Sequence, residues 1–406
     1  PLPADDFIAA DVGGEARETC RNWMYKTACI RELLPRLYVE MALLECYRFI
    51  YDADFAAILM RLAHAVRGLG NPVVAAYARL YLARMAAKLV RDDNRQRDSV
   101  MACVADFFAT FGDITSGARE ASLAATGVSM PVYLQLFQPA LAWQMHQLAW
   151  GATKDTFQSI MAMYREQCGN SMVLQLIMEA FDPFYYSTHV TGLVALIGSA
   201  KPSLVSPAEV YRTLASQLVK QPPPAEQRMG FLNEAYKAMT RVADPVAYVR
   251  AAAGLMELLL AAYTEREVLL LMGDVVRRMQ ASATASGGDG GSGGGGEGRR
   301  GRGGGGGGTL MAPAAALPHL ERILTSAVEL EVTRANKVSS SSAARFSSVL
   351  TSEHFTALLD MFDAEHKPAL CKALLSSLTS VPGNVMDPIV VNTCVLGCRG
   401  RGAHAT

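Results

Sequence analysis

Proline follows Asn or Asp at four points of this chain, in Asn71-Pro72, Asp182-Pro183, Asp244-Pro245 and Asp387-Pro388. Each pair is a helix start. The short side chain accepts from a free backbone N–H, and proline at the first helical position has no N–H to leave unsatisfied. Ser206-x-x-Glu209 and Thr264-x-x-Glu267 read as capping boxes, and Pro222-Pro223-Pro224 is a further break. From residue 183 onward the expected starts fall near 183, 207, 225, 245 and 265. Intervals of about 20 residues hold a helix of about 15 and a short turn, and two of them make a unit of about 40, the size of a HEAT-like repeat. The apolar period agrees. Val74, Tyr77, Ala78, Tyr81, Leu82, Met85 and Leu89 form one helical stripe, and Ile30, Leu33, Leu34, Leu37, Tyr38, Met41 and Leu44 a second. No run alternates as a strand would. The expected fold is all-α, a HEAT-like α-solenoid of antiparallel helix hairpins. Such arrays contact only neighbouring repeats and present long surfaces.

Composition fits and narrows the function classes. Half of the 406 residues are hydrophobic, too many for a disordered chain, and 38 basic residues balance 38 acidic ones, unlike a strongly basic nucleic-acid binder. Eight scattered cysteines without a C-x-x-C pair suggest reduced thiols rather than a disulfide framework, and Cys394 and Cys398 alone make a poor zinc signal. The N-terminus shows no signal-peptide pattern and no initiator Met, as expected of a fragment. Ala121–Thr153 has no Asp, Glu, Lys or Arg, yet Pro131, Pro139 and several glutamines interrupt it, so a buried loop and helix is expected there rather than a membrane span.

The 34 glycines describe one segment, since sixteen of them lie between Gly287 and Gly308. Gly/Ser-rich chain behaves as a flexible coil. The expected organisation is a disordered tail over 1–14, solenoid over 15–280, a disordered Gly/Ser/Arg-rich insertion over 281–309, further solenoid over 310–396 and an aberrant or disordered tail over 397–406. Ser339–Ser342 reads as a second loop, with helices at Phe355–Phe362, Pro368–Leu378 and Pro388–Leu396. None of the seven histidines forms a zincin-type pair, and the glycine run lacks the Gly-Lys-Ser/Thr of a phosphate loop. No catalytic residue, cofactor or metal site is expected. An unrecognised hydrolase using one of the cysteines or histidines is a minor alternative. Arg299, Arg300 and Arg302 among glycines give another alternative, a helical-repeat protein binding RNA through an Arg/Gly segment.

Leu34-Pro35-Arg36-Leu37-Tyr38-Val39-Glu40 is followed by Val66-Arg67-Gly68-Leu69-Gly70-Asn71-Pro72 and Tyr77-Ala78-Arg79-Leu80-Tyr81-Leu82. This order resembles the start of the large α-solenoid subunits of the endosomal retromer and retriever complexes. Further segments are similar to the retriever branch, the vacuolar protein sorting-associated 35-like family. These are Arg17–Trp23, Gly127–Leu134 with Pro139-Ala140 and Trp143, Leu232–Ala235 and Asp387–Asn392. The resemblance implies a non-enzymatic scaffold, cytoplasmic and peripherally attached to endosomes through its partners, that recycles transmembrane cargo to the cell surface. It also implies partners: an arrestin-like subunit at the N-terminal helices, a phosphoesterase-fold subunit, a COMMD/coiled-coil assembly and a sorting nexin cargo adaptor. Without the family's long N-terminal region and the C-terminal half of its solenoid, contact with the phosphoesterase-fold subunit is expected to be lost or weakened. Carried over, the motif that helps bind the arrestin-like subunit falls on Pro35, Arg36, Leu37 and Tyr38, with Arg67 and Arg79 as accompanying candidates. Leu37 and Tyr38 also lie on the second apolar stripe, so a core role is open for both, while Arg36 lies off it. Arg67 and Arg79 can equally be structural, stems over apolar surface and heads on carbonyls or carboxylates.

Overall fold

The computed structural model describes residues 7–50, 55–89, 93–117, 120–201, 204–286, 311–337, 348–379, 391–392 and 395. The Gly-rich run, Ser339–Ser342, Asp387-Pro388 with its expected helix, Cys394, Cys398 and the 397–406 tail lie outside those residues, apart from Val391, Asn392 and Val395. The described chain is all-α, as expected of an α-solenoid, and its β pairing is a single parallel bridge between Asn170 and Lys201. It divides into two compact units, one of residues 1–185 with 199–206 and one of 186–198 with 207–406.

The first unit contains α1 (Gly14–Ala28), α2 (Leu33–Ala42), α3 (Phe55–Val66), α4 (Pro72–Leu89), α5 (Asp93–Thr115), α6 (Glu120–Ala124), α7 (Met130–Ala149), α8 (Lys154–Met163) and α9 (Ser171–Ala180). Successive helices pack, as α3 on α4 and α4 on α5, and so do alternate ones, as α2 on α4, α3 on α5, α5 on α7 and α7 on α9. That is the pattern of stacked hairpins. Phe107, Phe111 and Phe137 stack where α5 meets α7, with Phe107 and Phe137 centroids 4.3 Å apart. At Gly112 of α5 a Cβ would lie 2.8 Å from the Gln167 carbonyl oxygen, so only glycine lets α5 approach the π-helical turn at Tyr164–Cys168 this closely.

The second unit contains α10 (Val190–Ser199), α11 (Pro207–Leu218), α12 (Ala225–Thr240), α13 (Pro245–Ala262), α14 (Glu265–Ser286), α15 (Leu317–Lys337), α16 (Glu353–Leu359) and α17 (His366–Thr379). Helices α11, α13, α15 and α17 form one packed row, and α14 packs on α16 beside it. The short joins α12–α13 and α13–α14 fold each helix back on the one before. Helix α13 is apolar nearly all round, with Ala251–Met256 and Leu258–Leu260 buried. Among the described residues it is the one helix long and apolar enough to cross a membrane, yet 61% of it is buried inside the protein, as a core helix would be. The Ala121–Thr153 stretch is instead most of α6, a turn and α7, with Pro131 in the first turn and Pro139 inside the helix.

The expected helix starts at 207, 225, 245 and 265 coincide with α11 to α14. Asn71 accepts from the Val73 and Val74 amides at 3.0 and 3.2 Å, and Asp244 from the Val246 and Ala247 amides at 3.2 and 3.0 Å. The Thr264 amide donates to Glu267 at 3.0 Å, the return half of a capping box, and the Thr264 hydroxyl bonds the same carboxylate and holds its pKa down. Near 183 the outcome differs. Asp182 caps only a 3-10 turn, Pro183–Tyr185, and the α-helix begins at Val190.

Two boundaries move. The expected disordered tail is ordered from Phe7, which stacks on Phe49 at 5.3 Å beneath the Arg48 guanidinium, while Val12 is buried. Those two apolar anchors outweigh the polar composition around them. Helix α14 runs to Ser286, past the expected start of the insertion at 281, because Ala281–Ser286 holds only Ala, Ser and Thr and no breaker. Helix α2 starts at Leu33, two residues before Pro35, whose missing N–H falls in the first turn where no intrahelical donor is needed.

Gly112→Ala is expected to lower stability by about 1–3 kcal/mol through forced separation of α5 from the Gln167 backbone. Gly230→Ala, in α12 with nothing near the added methyl, should raise it by about 0.5–1 kcal/mol. Thermal or urea denaturation of the whole chain checks both, and opposite signs are the expected outcome.

Candidate partner-docking site

Helix α2 carries the Pro35–Tyr38 motif, and its turns send these residues to different environments. Leu37 and Met41, one turn apart, are buried at 2% and 0% exposure. Pro35 is exposed and Arg36 and Tyr38 are half-buried. Arg36 Nε donates to Glu40 Oε1 at 3.0 Å, and Arg61 of α3 donates to the other oxygen, Oε2, also at 3.0 Å. Glu40 is largely buried, and a buried carboxylate is stable only when charged donors satisfy it. It therefore fixes two guanidiniums side by side at the surface. Tyr38 stacks on Tyr81 of α4 with centroids 5.8 Å apart, and burial together with Tyr81 raises its hydroxyl pKa.

The second group adjoins the first. Arg67 lies in the turn between α3 and α4, and the next residue, Gly68, lies against Leu33, where a Cβ would come within 2.8 Å of the Leu33 side chain. Arg67 Nε donates to Asp106 Oδ1 of α5 at 2.7 Å. Arg79 of α4 is 3% exposed and donates to Thr110 Oγ1 at 3.3 Å, while Thr110 donates to the Asp106 carbonyl at 2.7 Å. Arg67, Arg79, Asp106, Thr110, Asp113 and Gln167 line an open cavity of about 410 Å³.

The first apolar stripe is thereby corrected. The buried face of α4 runs through Ala75, Ala78, Arg79, Leu82 and Ala86, whereas Tyr77 is 49% exposed. Alanines admit the neighbouring helices closely, and the larger Tyr77 is left outside. Of the six expected contact residues, Leu37 and Arg79 are interior. They shape the surface from beneath instead of presenting side chains on it. Pro35, Arg36, Tyr38 and Arg67 remain accessible. Glu40, Arg61 and Asp106 complete the arrangement and were not expected from the sequence. Glu40 stands four residues after Arg36, a helical ion-pair spacing legible in the sequence, but nothing local marks Arg61 or Asp106.

Among the described residues no group of three or more His, Cys, Asp and Glu is placed to hold a metal. Burial pushes the thiols of Cys103 and Cys168 up to about 12, opposite to what a nucleophilic thiolate needs. Arg299, Arg300 and Arg302 lie outside the described residues.

Comparison with known proteins matches this architecture to one family. Residues 1–136 match the N-terminal model of VPS35L and residues 152–285 match the VPS35L C-terminal domain. The chain belongs to the VPS35L family. A zebrafish (Danio rerio) relative named VPS35 endosomal protein-sorting factor-like is 34% identical over 279 residues, 69% of this chain and 29% of that protein. The human protein of the same name is 30% identical over 275 residues, 68% of this chain and 28% of its own. A Dictyostelium discoideum relative is 28% identical over 383 residues, which is 93% of this chain and 34% of the relative. The chain thus spans about three-tenths of the length of the VPS35L proteins it matches.

The motif should divide under mutation. Leu37→Ala is expected to cost about 2–5 kcal/mol of stability, and Arg79→Met about 1–3 kcal/mol through loss of a buried charged donor. Arg36→Ala should cost less than Leu37→Ala, about 1–2 kcal/mol, since Arg36 is partly exposed and Arg61 continues to hold the buried Glu40 carboxylate. Urea titrations of the three variants test this ordering.

Proposed function

We propose that this chain is a helical scaffold within an endosomal protein-sorting factor and that it acts by holding partners rather than by catalysis. In finer terms, it serves a retriever-like complex that returns transmembrane proteins from endosomes to the cell surface, attached to the cytoplasmic side of the membrane through its partners. The VPS35L relatives are named as sorting factors, which supports the coarser statement. The observation that carries the finer one is the division of Pro35–Tyr38. Buried Leu37 anchors α2, while buried Glu40 pins Arg36 and Arg61 at the surface.

An arginine already held by a carboxylate loses less freedom on binding than a free one, and such pre-organisation favours affinity. The arrestin-like subunit is the proposed occupant of this surface, meeting Pro35, Arg36 and Tyr38, with Arg67 alongside. Leu37 and Arg79 contribute by fixing α2 and α4. A COMMD/coiled-coil assembly and a sorting nexin adaptor complete the complex in this reading, with no surface assigned to either.

Co-purification of the 406-residue chain with the arrestin-like subunit tests the proposal. Arg36→Asp is expected to weaken binding at least about tenfold, about 1.4 kcal/mol, with the helical circular dichroism unchanged. Undiminished binding by that variant would remove Arg36 from the interface. Failure of the intact chain to bind would remove the partner.

A further inference from the structure

Three neighbours in the α11–α13–α15 row each carry a spaced pair of polar groups. Glu209 and Arg212 stand one turn apart on α11, Arg250 and Glu257 two turns apart on α13, and His319 and Arg322 one turn apart on α15. One ion pair forms within α11, and two more join neighbouring helices. Arg212 donates to Glu209 Oε1 from Nε at 2.8 Å and lies 2.7 Å from it through Nη2. Arg250 Nε lies 3.4 Å from Glu209 Oε2, and Arg322 donates to Glu257 at 2.5 Å. One carboxylate thus serves two guanidiniums and the other serves one, so three fixed cations face two anions.

His319 reports the resulting field. Burial lowers its pKa first, and Arg250, Arg212 and Arg322 lower it further, against the opposite pull of Glu209. Two of the three arginines are accessible, with Arg250 and Arg322 side chains 50% and 47% exposed. The placement of Arg212, the third, is set by packing. A Cβ on Gly254 of α13 would meet Arg212 Cγ at 2.6 Å, so the glycine makes room for the Arg212 stem and holds α11 close to α13.

We propose that this face binds an acidic segment of a partner protein, with Asp or Glu carboxylates received by Arg250 on α13 and Arg322 on α15. Neighbouring helices pack about 8–10 Å apart, and an extended segment rising about 3.3 Å per residue covers the distance from α13 to α15 with about three residues. The planar fork of arginine matches a carboxylate in two-point contact. A surplus of a single positive charge selects an anion without the broad field that would draw nucleic acid.

The pH dependence has a definite sign. A carboxylate placed here offsets the positive field and raises the His319 pKa in the complex. Binding therefore takes up a proton, and affinity rises as pH falls below the ordinary histidine range near 6.5.

The test titrates the whole chain with a synthetic peptide of alternating Glu and Ser. Histidine NMR follows the titration, with the His319 signal assigned through His319→Gln. The expected result is an upward move of the His319 pKa and saturable binding. Binding should fall at least about tenfold in an Arg250→Glu/Arg322→Glu variant and disappear in about 1 M salt, where the screening length is about 3 Å. A Gln/Ser peptide should not bind. Where charge reversal disturbs the helical circular dichroism, Arg250→Gln/Arg322→Gln replaces it. Three results would overturn the proposal: peptide binding unchanged in the folded double variant, an unmoved His319, or tighter binding to phosphatidylserine vesicles or inorganic phosphate than to the peptide.

Discussion

Every helix in these units must bury its apolar surface against another helix, because the described residues contain no sheet to pack on. That constraint is strongest at α13, which is apolar nearly all round and is covered by α11, α12, α14 and α15. Its Ala251–Ala253 run and Gly254 lie among its buried residues, and small residues let neighbouring helices come close. Close packing then brings long polar side chains from adjacent helices within reach of one another, as in the Arg322–Glu257 and Arg250–Glu209 pairs. The same logic holds in the first unit, where Gly112 sets how closely α5 approaches the Tyr164–Cys168 turn. The row of charges and the row of helices are consequences of one requirement.

The two arginine arrangements of the first unit differ in physical character. Arg36 and Arg61 share a carboxylate near the surface, so each keeps much of its charge open to a partner. Arg79 is enclosed, and its guanidinium serves Thr110 inside the helix stack. A motif quoted as one string of residues therefore contains parts with separate duties. Leu37, like Arg79 outside the string, belongs to the stability of the fold, and Pro35, Arg36 and Tyr38 to what the fold presents.

Much of this was legible beforehand, and the division follows the range of the interactions. Asn71 and Asp244 satisfy amides two and three residues ahead, so the helix starts they create could be read directly. The resemblance to the vacuolar protein sorting-associated 35-like family rested on ordered motifs and agrees with the VPS35L family match. Burial of the Arg79 charge could not be read, because its partner Thr110 lies 31 residues away on another helix. A stripe count treats arginine as polar and tyrosine as apolar, which placed Tyr77 inside and left Arg79 undecided. Asp182-Pro183 shows the limit of a local rule. The cap forms, but the turn it caps is too short to be an α-helix. Phe7 was misjudged for a related reason, since its stacking partner Phe49 lies 42 residues further along.

The packing of α15 on α13 has a consequence for how such a chain can vary. Helix α14 ends at Ser286 and α15 begins only at Leu317, and α15 takes the place next to α13. The row is specified by faces that recognise each other, not by the length of the thread between them. Doubling such a connection costs only about 0.6 kcal/mol in closure entropy. Relatives are therefore free to differ in length at this point while keeping the same neighbours, and a reporter domain spliced into the join would leave the order of the helices undisturbed.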